Sequence, residues 1–216
     1  MRRIGLIFDM DGTLWDARKE VAACWSVVTR KHGLKEITFE DMTKTMGLSM
    51  EGIADALFPN LSKKERIFLL YECTDYENEY LKIHTPRLYP FLEKNLRILK
   101  ERGFFLSILS NAQKGYIEAF FAGTGLSDLF IDHLCWGDNG FPKSKNMLLL
   151  KERNHFDDIF YIGDTRMDEI ESDKAGAKFI YASYGFGEAK HPFFVLNQFE
   201  DLLKAPYFCE NSEKHS

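Results

Sequence analysis

Four short, mostly apolar runs punctuate the chain at wide intervals, at 4–8, 104–109, 159–162 and 178–181. Each is of strand length and none alternates strictly with polar residues, as expected of strands buried on both faces. Three of them stop at small or polar residues: Asp9, Ser110 with Asn111, and Gly163 with Asp164. Between the runs lie helical patterns, at 91–102, 114–121, 145–153 and 167–175. In the first of these, Leu92, Leu96 and Leu99 recur at helical spacing, and Gly103 stands where a helix would stop. Strands alternating with helices predict an α/β fold, a doubly wound, Rossmann-like parallel sheet covered by helices on both faces.

Residues 16–85 break that alternation, with helical patterns at 17–31, 39–46 and 50–58 and no convincing strand. Ser62, followed three residues later by Glu65, has the form of a capping box that opens a long helix reaching Ile83. Pro59 and Pro86 punctuate its approaches. The expected organisation is a core domain from 1–15 and 87–208, interrupted by a small all-helical cap domain, 16–86, over the mouth of the sheet. Residues 209–216 are polar and read as a frayed tail.

Composition narrows the classes. The 216 residues, 45% of them hydrophobic, suffice for one or two domains. With 28 Lys and Arg against 33 Asp and Glu, no global basic field draws nucleic acid or an anionic membrane. Cys24, Cys73, Cys135 and Cys209 form no CxxC pair and read as scattered thiols. The apolar run near the N-terminus is too short for a secretion signal, and no stretch approaches membrane-spanning length. A cytoplasmic protein is expected; the oligomeric state is not legible.

Doubly wound sheets bind ligands beyond the carboxyl ends of their strands. There stand Asp9, Asp11, Ser110, Asn111 and Asp164, with Asp168 one turn further on and Lys143 and Lys145 ahead of the next helix. Converging carboxylates repel one another unless a cation neutralises them. Hard oxygen ligands with no Cys or His nearby point to Mg²⁺. Phosphoryl transfer needs a nucleophile, a cation and a proton donor for the leaving group, and this set contains candidates for all three.

Asp9-Met10-Asp11-Gly12-Thr13-Leu14 resembles the first motif of the haloacid dehalogenase superfamily, DxDGT. Ser110-Asn111 resembles its second motif, a lysine at 143–145 its third, and Gly163-Asp164-Thr165-Arg166-Met167-Asp168 its fourth, GDxxxD. Leu88-Tyr89-Pro90, Ala175-Gly176 and Tyr184-Gly185-Phe186-Gly187 are similar to the phosphoglycolate-phosphatase-like branch, which carries a helical cap between the first two motifs. The resemblance implies a Mg²⁺-dependent phosphatase acting on a small phosphorylated metabolite through an aspartyl phosphate. Asp9 is then the nucleophile and Asp11 the acid and base. The metal is held by Asp9, the main-chain carbonyl of Asp11 and Asp164, with Asp168 as ligand or neighbour. Thr13, Ser110 and Asn111 fall on the family's phosphate-binding positions, and a lysine balances the charge. Spacing to the following helix fits Lys143 with Met147 and also Lys145 with Leu149; the run after Lys143 matches better.

Plainer readings compete. Ser110 has the form of a helix N-cap, Thr165 with Asp168 that of a capping box. The loop Met46–Met50 either dips toward the site or simply joins two helices. Rival activities are a phosphomutase with the same two aspartates, a 2-haloacid dehalogenase, and a non-catalytic phospho-ligand binder. Asp11 argues against the dehalogenase, which has no need of a second acid.

Overall fold

The computed structural model describes residues 2–209, so the tail expected at 209–216 lies outside the described residues except for the backbone of Cys209. The chain opens with β1 (Ile4–Phe8) and a two-residue strand β2 (Trp15–Asp16). Four helices follow: α1 (Arg18–Lys31), α2 (Phe39–Thr45), α3 (Met50–Leu57) and α4 (Lys63–Ile83). The strand β3 (Arg87–Leu88) leads into α5 (Leu92–Glu101), β4 (Phe105–Ser110), α6 (Tyr116–Thr124), β5 (Phe130–Cys135) and α7 (Trp136–Asn139). Then come α8 (Lys143–Arg153), β6 (Asp158–Gly163), α9 (Arg166–Ala175), β7 (Lys178–Ala182), β8 (Phe194–Leu196) and α10 (Pro206–Cys209).

The main sheet has the order β5-β4-β1-β6-β7-β8, and every pairing in it is parallel. This is the expected doubly wound α/β sheet. The chain winds outward one way from β1 to β4 and β5, and the other way from β6 to β7 and β8. Its switch point therefore falls between β1 and β6, where such folds bind ligands. Phe8 pairs with Ile108 on one side and Ile162 on the other, so the residues that follow all leave from one edge of the sheet.

Both faces of the sheet are buried, and β1 shows how. Leu6 and Phe8 join a cluster with Leu92, Leu96 and Leu99 of α5 and Ile117 and Phe120 of α6. Ile7 points to the opposite layer, with Met147 and Leu150 of α8 and Ala175 of α9. Successive side chains of a strand face opposite sides, so an uninterrupted apolar run is what a covered central strand requires.

The helical segment hangs from a small antiparallel ribbon in which Trp15 pairs with Leu88 and Asp16 with Arg87. The ribbon brings the ends of the segment together beside the sheet edge. Ser62 and Glu65 form the expected reciprocal capping box, and α4 runs to Ile83. Buried Val21, Cys24, Trp25 and Val28 of α1 pack with Leu69, Leu70, Cys73 and Leu81 of α4 in the same apolar cluster as the sheet. Asn78 Nδ2 donates to the Lys114 carbonyl at 2.9 Å and the Thr85 hydroxyl to the Gly123 carbonyl at 3.2 Å, tying α4 to the core around α6. Among the described residues no helix is long and apolar enough to cross a membrane, and Cys24, Cys73 and Cys135 are buried free thiols.

Candidate active site

The site is built at the switch point. The Asp9 amide donates to the Ile162 carbonyl at 2.8 Å, extending the β1–β6 ladder by one residue and fixing Asp9 beside the end of β6. The chain then turns sharply, with the Thr13 and Leu14 amides both donating to the Met10 carbonyl. Gly12 makes the turn with φ at +80°, and a Cβ there would stand 2.1 Å from Asp164 Oδ2. Only glycine lets the loops after β1 and β6 come this close.

Lys143 Nζ lies 2.8 Å from Asp9 Oδ1 and 2.7 Å from Asp168 Oδ1, and the lysine side chain is only 5% exposed. Lys145 instead points outward over the Phe141 ring. Asp168 Oδ2 accepts from the Thr165 amide and hydroxyl, while the Thr165 hydroxyl accepts from the Asp168 amide. The capping box thus exists, and the same carboxylate spends its other oxygen on Lys143. Asp164 is fully buried; its Oδ2 accepts from the Phe186 amide at 2.7 Å, and its Oδ1 has no hydrogen-bond partner.

Asp11 faces elsewhere. Its Oδ1 accepts from Tyr116 Oη at 2.8 Å and Trp15 Nε1 at 3.1 Å. Burial pushes its carboxyl up to about 6, against the hydrogen bonds from Tyr116 and Trp15. Asp9 is raised by burial and by Asp168, with Lys143 opposing. Asp164 is raised by burial, then by Asp168 and Asp9. Burial works against the charge on Lys143, but Asp168 and Asp9 more than offset it and hold the lysine protonated.

Oxygens of Asp9, Asp164 and Asp168 lie within 4.8 Å of one another. These are hard donors, mutually repelling, one of them an orphaned buried acceptor, and they fit a hard divalent cation. Both oxygens of Asp168 are already engaged, which suits it to aligning Lys143 and the cluster. The Asp11 carboxylate is not one of the grouped three.

A cavity of about 80 Å³ opens beside these groups. Asp9, Asp11, Ser110, Asn111, Lys143, Asp164 and Asp168 all line it. The Ser110 hydroxyl accepts from the Ala112 amide at 3.1 Å, a local turn and not a helix cap, since α6 begins beyond Gly115. Thr13 is not among the lining residues; its hydroxyl is buried without a partner, and its carbonyl accepts from Tyr184 Oη. The helical segment supplies the opposite wall, and the loop between α2 and α3 reaches it through Met46, Gly47 and Leu48. Trp15 and Tyr116, which clamp Asp11, carry no motif; the one trace of them in the sequence is Trp15 standing four residues after Asp11.

The family described as haloacid dehalogenase-like hydrolase matches residues 6–182. The chain belongs to that family. As a haloacid dehalogenase-like hydrolase it is similar over nearly its whole length to phosphoglycolate phosphatases. That of Vibrio vulnificus is 27% identical, covering 92% of this chain and 93% of the relative. That of Aquifex aeolicus is 26% identical, covering 92% and 94%. Among solved structures, a predicted phosphoglycolate phosphatase from Haemophilus somnus superposes with a TM-score of 0.81 at 20% identity, covering 94% of this chain and 97% of that one. A haloacid dehalogenase-like family hydrolase from Streptococcus pneumoniae gives 0.79 at 17%, covering 95% and 98%. At such identities these structures establish the shared fold.

Proposed function

We propose that this hydrolase cleaves a small phosphomonoester in two steps, with Asp9 as nucleophile and Mg²⁺ as its cation. The observation that carries the reading is the Lys143-bridged cluster of Asp9 and Asp168 with the unpartnered Asp164 oxygen, on the same cavity as Ser110, Asn111 and Asp11. The names of the curated relatives support a phosphomonoester as substrate.

In the first step an oxygen of Asp9 forms a bond to phosphorus, the ester P–O bond breaks, and Asp11 gives its proton to the departing alcohol. In the second, Asp11 takes a proton from water as that water attacks phosphorus. Phosphate leaves and the Asp9 carboxylate is restored. A group raised to about 6 is suited to serving first as acid and then as base. Trp15 and Tyr116 hold one Asp11 oxygen, orienting the carboxyl for the transfer. Ser110 and the Asn111 amide bind phosphoryl oxygens, and Lys143 places Asp9 and favours its ionised form against the burial that raises it. Asp9, Asp164 and the Asp11 carbonyl would hold the cation, with Asp168 supporting them; bound there, Mg²⁺ neutralises phosphoryl charge. The helical segment acts as a cap, bounded near residues 16 and 86, that excludes bulk water.

The test is phosphate release from a panel of phosphomonoesters with Mg²⁺ and with excess chelator. Release should require the metal, and Asp9→Asn should lower kcat by on the order of 10⁴ or more with its circular dichroism unchanged. Turnover by a folded Asp9→Asn variant at the wild-type rate would remove the nucleophile from Asp9.

A further inference from the structure

The cavity wall opposite the carboxylates is apolar except at one place. Val21, Trp25, Met42, Met46, Leu48 and Ile53 form most of it, and Glu77 of α4 interrupts it. Glu77 is 4% exposed. Its Oε2 accepts a short hydrogen bond from Trp25 Nε1, and its Oε1 accepts from Gln113 Nε2 at 3.3 Å. Gln113 is itself oriented by Asn78 Oδ1 at 3.0 Å. Two donors leave a carboxylate with acceptor capacity unused, because its oxygens offer about four lone-pair sites. Burying this group among Met and Trp side chains is costly unless something in the cavity answers it.

The cations nearby are already committed. Among the described lining residues the only cationic side chain is Lys143, held between Asp9 and Asp168. Arg18 stands behind the lining Phe186, 4.1 Å from that ring, but its fork is closed on Asp16 through Nε at 2.8 Å and Nη2 at 2.7 Å. Glu77 and Asp11 line the same cavity. An alcohol released beside Asp11 therefore meets hydrogen-bond acceptors and apolar surface, with no free positive charge among these residues.

We propose that Glu77 determines specificity, selecting phosphomonoesters of small uncharged polyols over esters whose alcohol carries its own carboxylate. A hydroxyl of the alcohol donates to the ionised Glu77 carboxylate, while a carboxylate in that position faces an acceptor and lacks a counter-charge. The inference rests on the hydrolase reading above and narrows its substrate. It also separates this chain from what the names of its relatives suggest.

The experiment compares kcat/KM for glycerol phosphate and for phosphoglycolate at about pH 9, above the value of about 8 to which burial raises Glu77, in the wild-type enzyme with Mg²⁺ and in Glu77→Gln. Wild type should favour glycerol phosphate by about tenfold or more, the discrimination a polar contact in a closed site confers. Glu77→Gln, whose amide can donate to a carboxylate, should raise kcat/KM for phosphoglycolate about tenfold and narrow the ratio. Wild-type preference for phosphoglycolate overturns the inference while leaving the hydrolase reading intact. So does a ratio unchanged in a folded Glu77→Gln enzyme. Failure to release phosphate from either ester or from any other phosphomonoester overturns both. Should Glu77→Gln not fold, the wild-type ratio alone decides.

Discussion

The two walls of the cavity are made on opposite principles. On the sheet side the polar groups come from loops pinned by strand ladders, and most have their partners assigned: Asp168 between Thr165 and Lys143, Asp11 between Trp15 and Tyr116. On the helical side the surface is methionine-rich and apolar, with Glu77 as the one charged group among the described lining residues. Methionine adapts its shape at small cost, whereas a buried charged network tolerates little movement. On the function and the specificity proposed above, the contrast divides the labour: the sheet edge fixes where a phosphoryl group sits, and the helical wall judges what is attached to it.

The sharpest way to break this division is to strike the network at its hub. Removing one partner of a buried ion pair costs about 3–5 kcal/mol, since the partners stay buried and unpaired. Lys143→Met should therefore destabilise the protein by about 3 kcal/mol or more in urea unfolding with chelator present. Added Mg²⁺ should recover part of that loss, because a ligand at a hundred times its Kd stabilises by about 2.7 kcal/mol. Lys145→Met, which loses only contact with the Phe141 ring, should cost no more than about 1 kcal/mol. Equal losses at the two positions would mean that the buried pairs of Lys143 do not hold the sheet side together.

The same contrast explains what could be read in advance. Central strands announce themselves because both faces are covered, and the four runs at 4–8, 104–109, 159–162 and 178–181 correspond to β1, β4, β6 and β7. The edge strands did not. β5 carries Asp132 and His133 and leaves Ile131 exposed, and β8 is three residues long with Val195 exposed. The ribbon of β2 and β3 is too short to leave any periodic trace. Motif spacing left Lys143 and Lys145 open, but the helix separates them: Lys143, Asn146, Met147 and Leu150 share the buried face of α8. That period is present in the sequence and can be counted back from the apolar pair. Glu77 had no such signal. It lies in a helix that also carries Glu65, Glu72 and Glu79, and only the packing of α4 on α1 distinguishes it.

A smaller effect sharpens the comparison from the helical side. Burial pushes the Glu77 carboxyl up to about 8, against the hydrogen bonds from Trp25 and Gln113. In the unfolded chain it titrates near the ordinary glutamate value of about 4.3. Between those values the folded protein holds a proton that the unfolded chain has lost, so stability falls as pH rises. The stabilising contribution is whole below the unfolded value and is lost as pH passes through about 8. Glutamine does not titrate, so the stability of Glu77→Gln relative to wild type should improve between pH 5 and 8. Linkage allows at most about 1.4 kcal/mol per pH unit; water in the cavity screens the charge, and about 1–2 kcal/mol across the window is expected. Asp9, Asp11 and Asp164 titrate in both proteins and largely cancel in the difference. Parallel unfolding free energies from pH 5 to 8 would show that Glu77 is ionised without penalty, and that the helical wall is wetter than its side chains suggest.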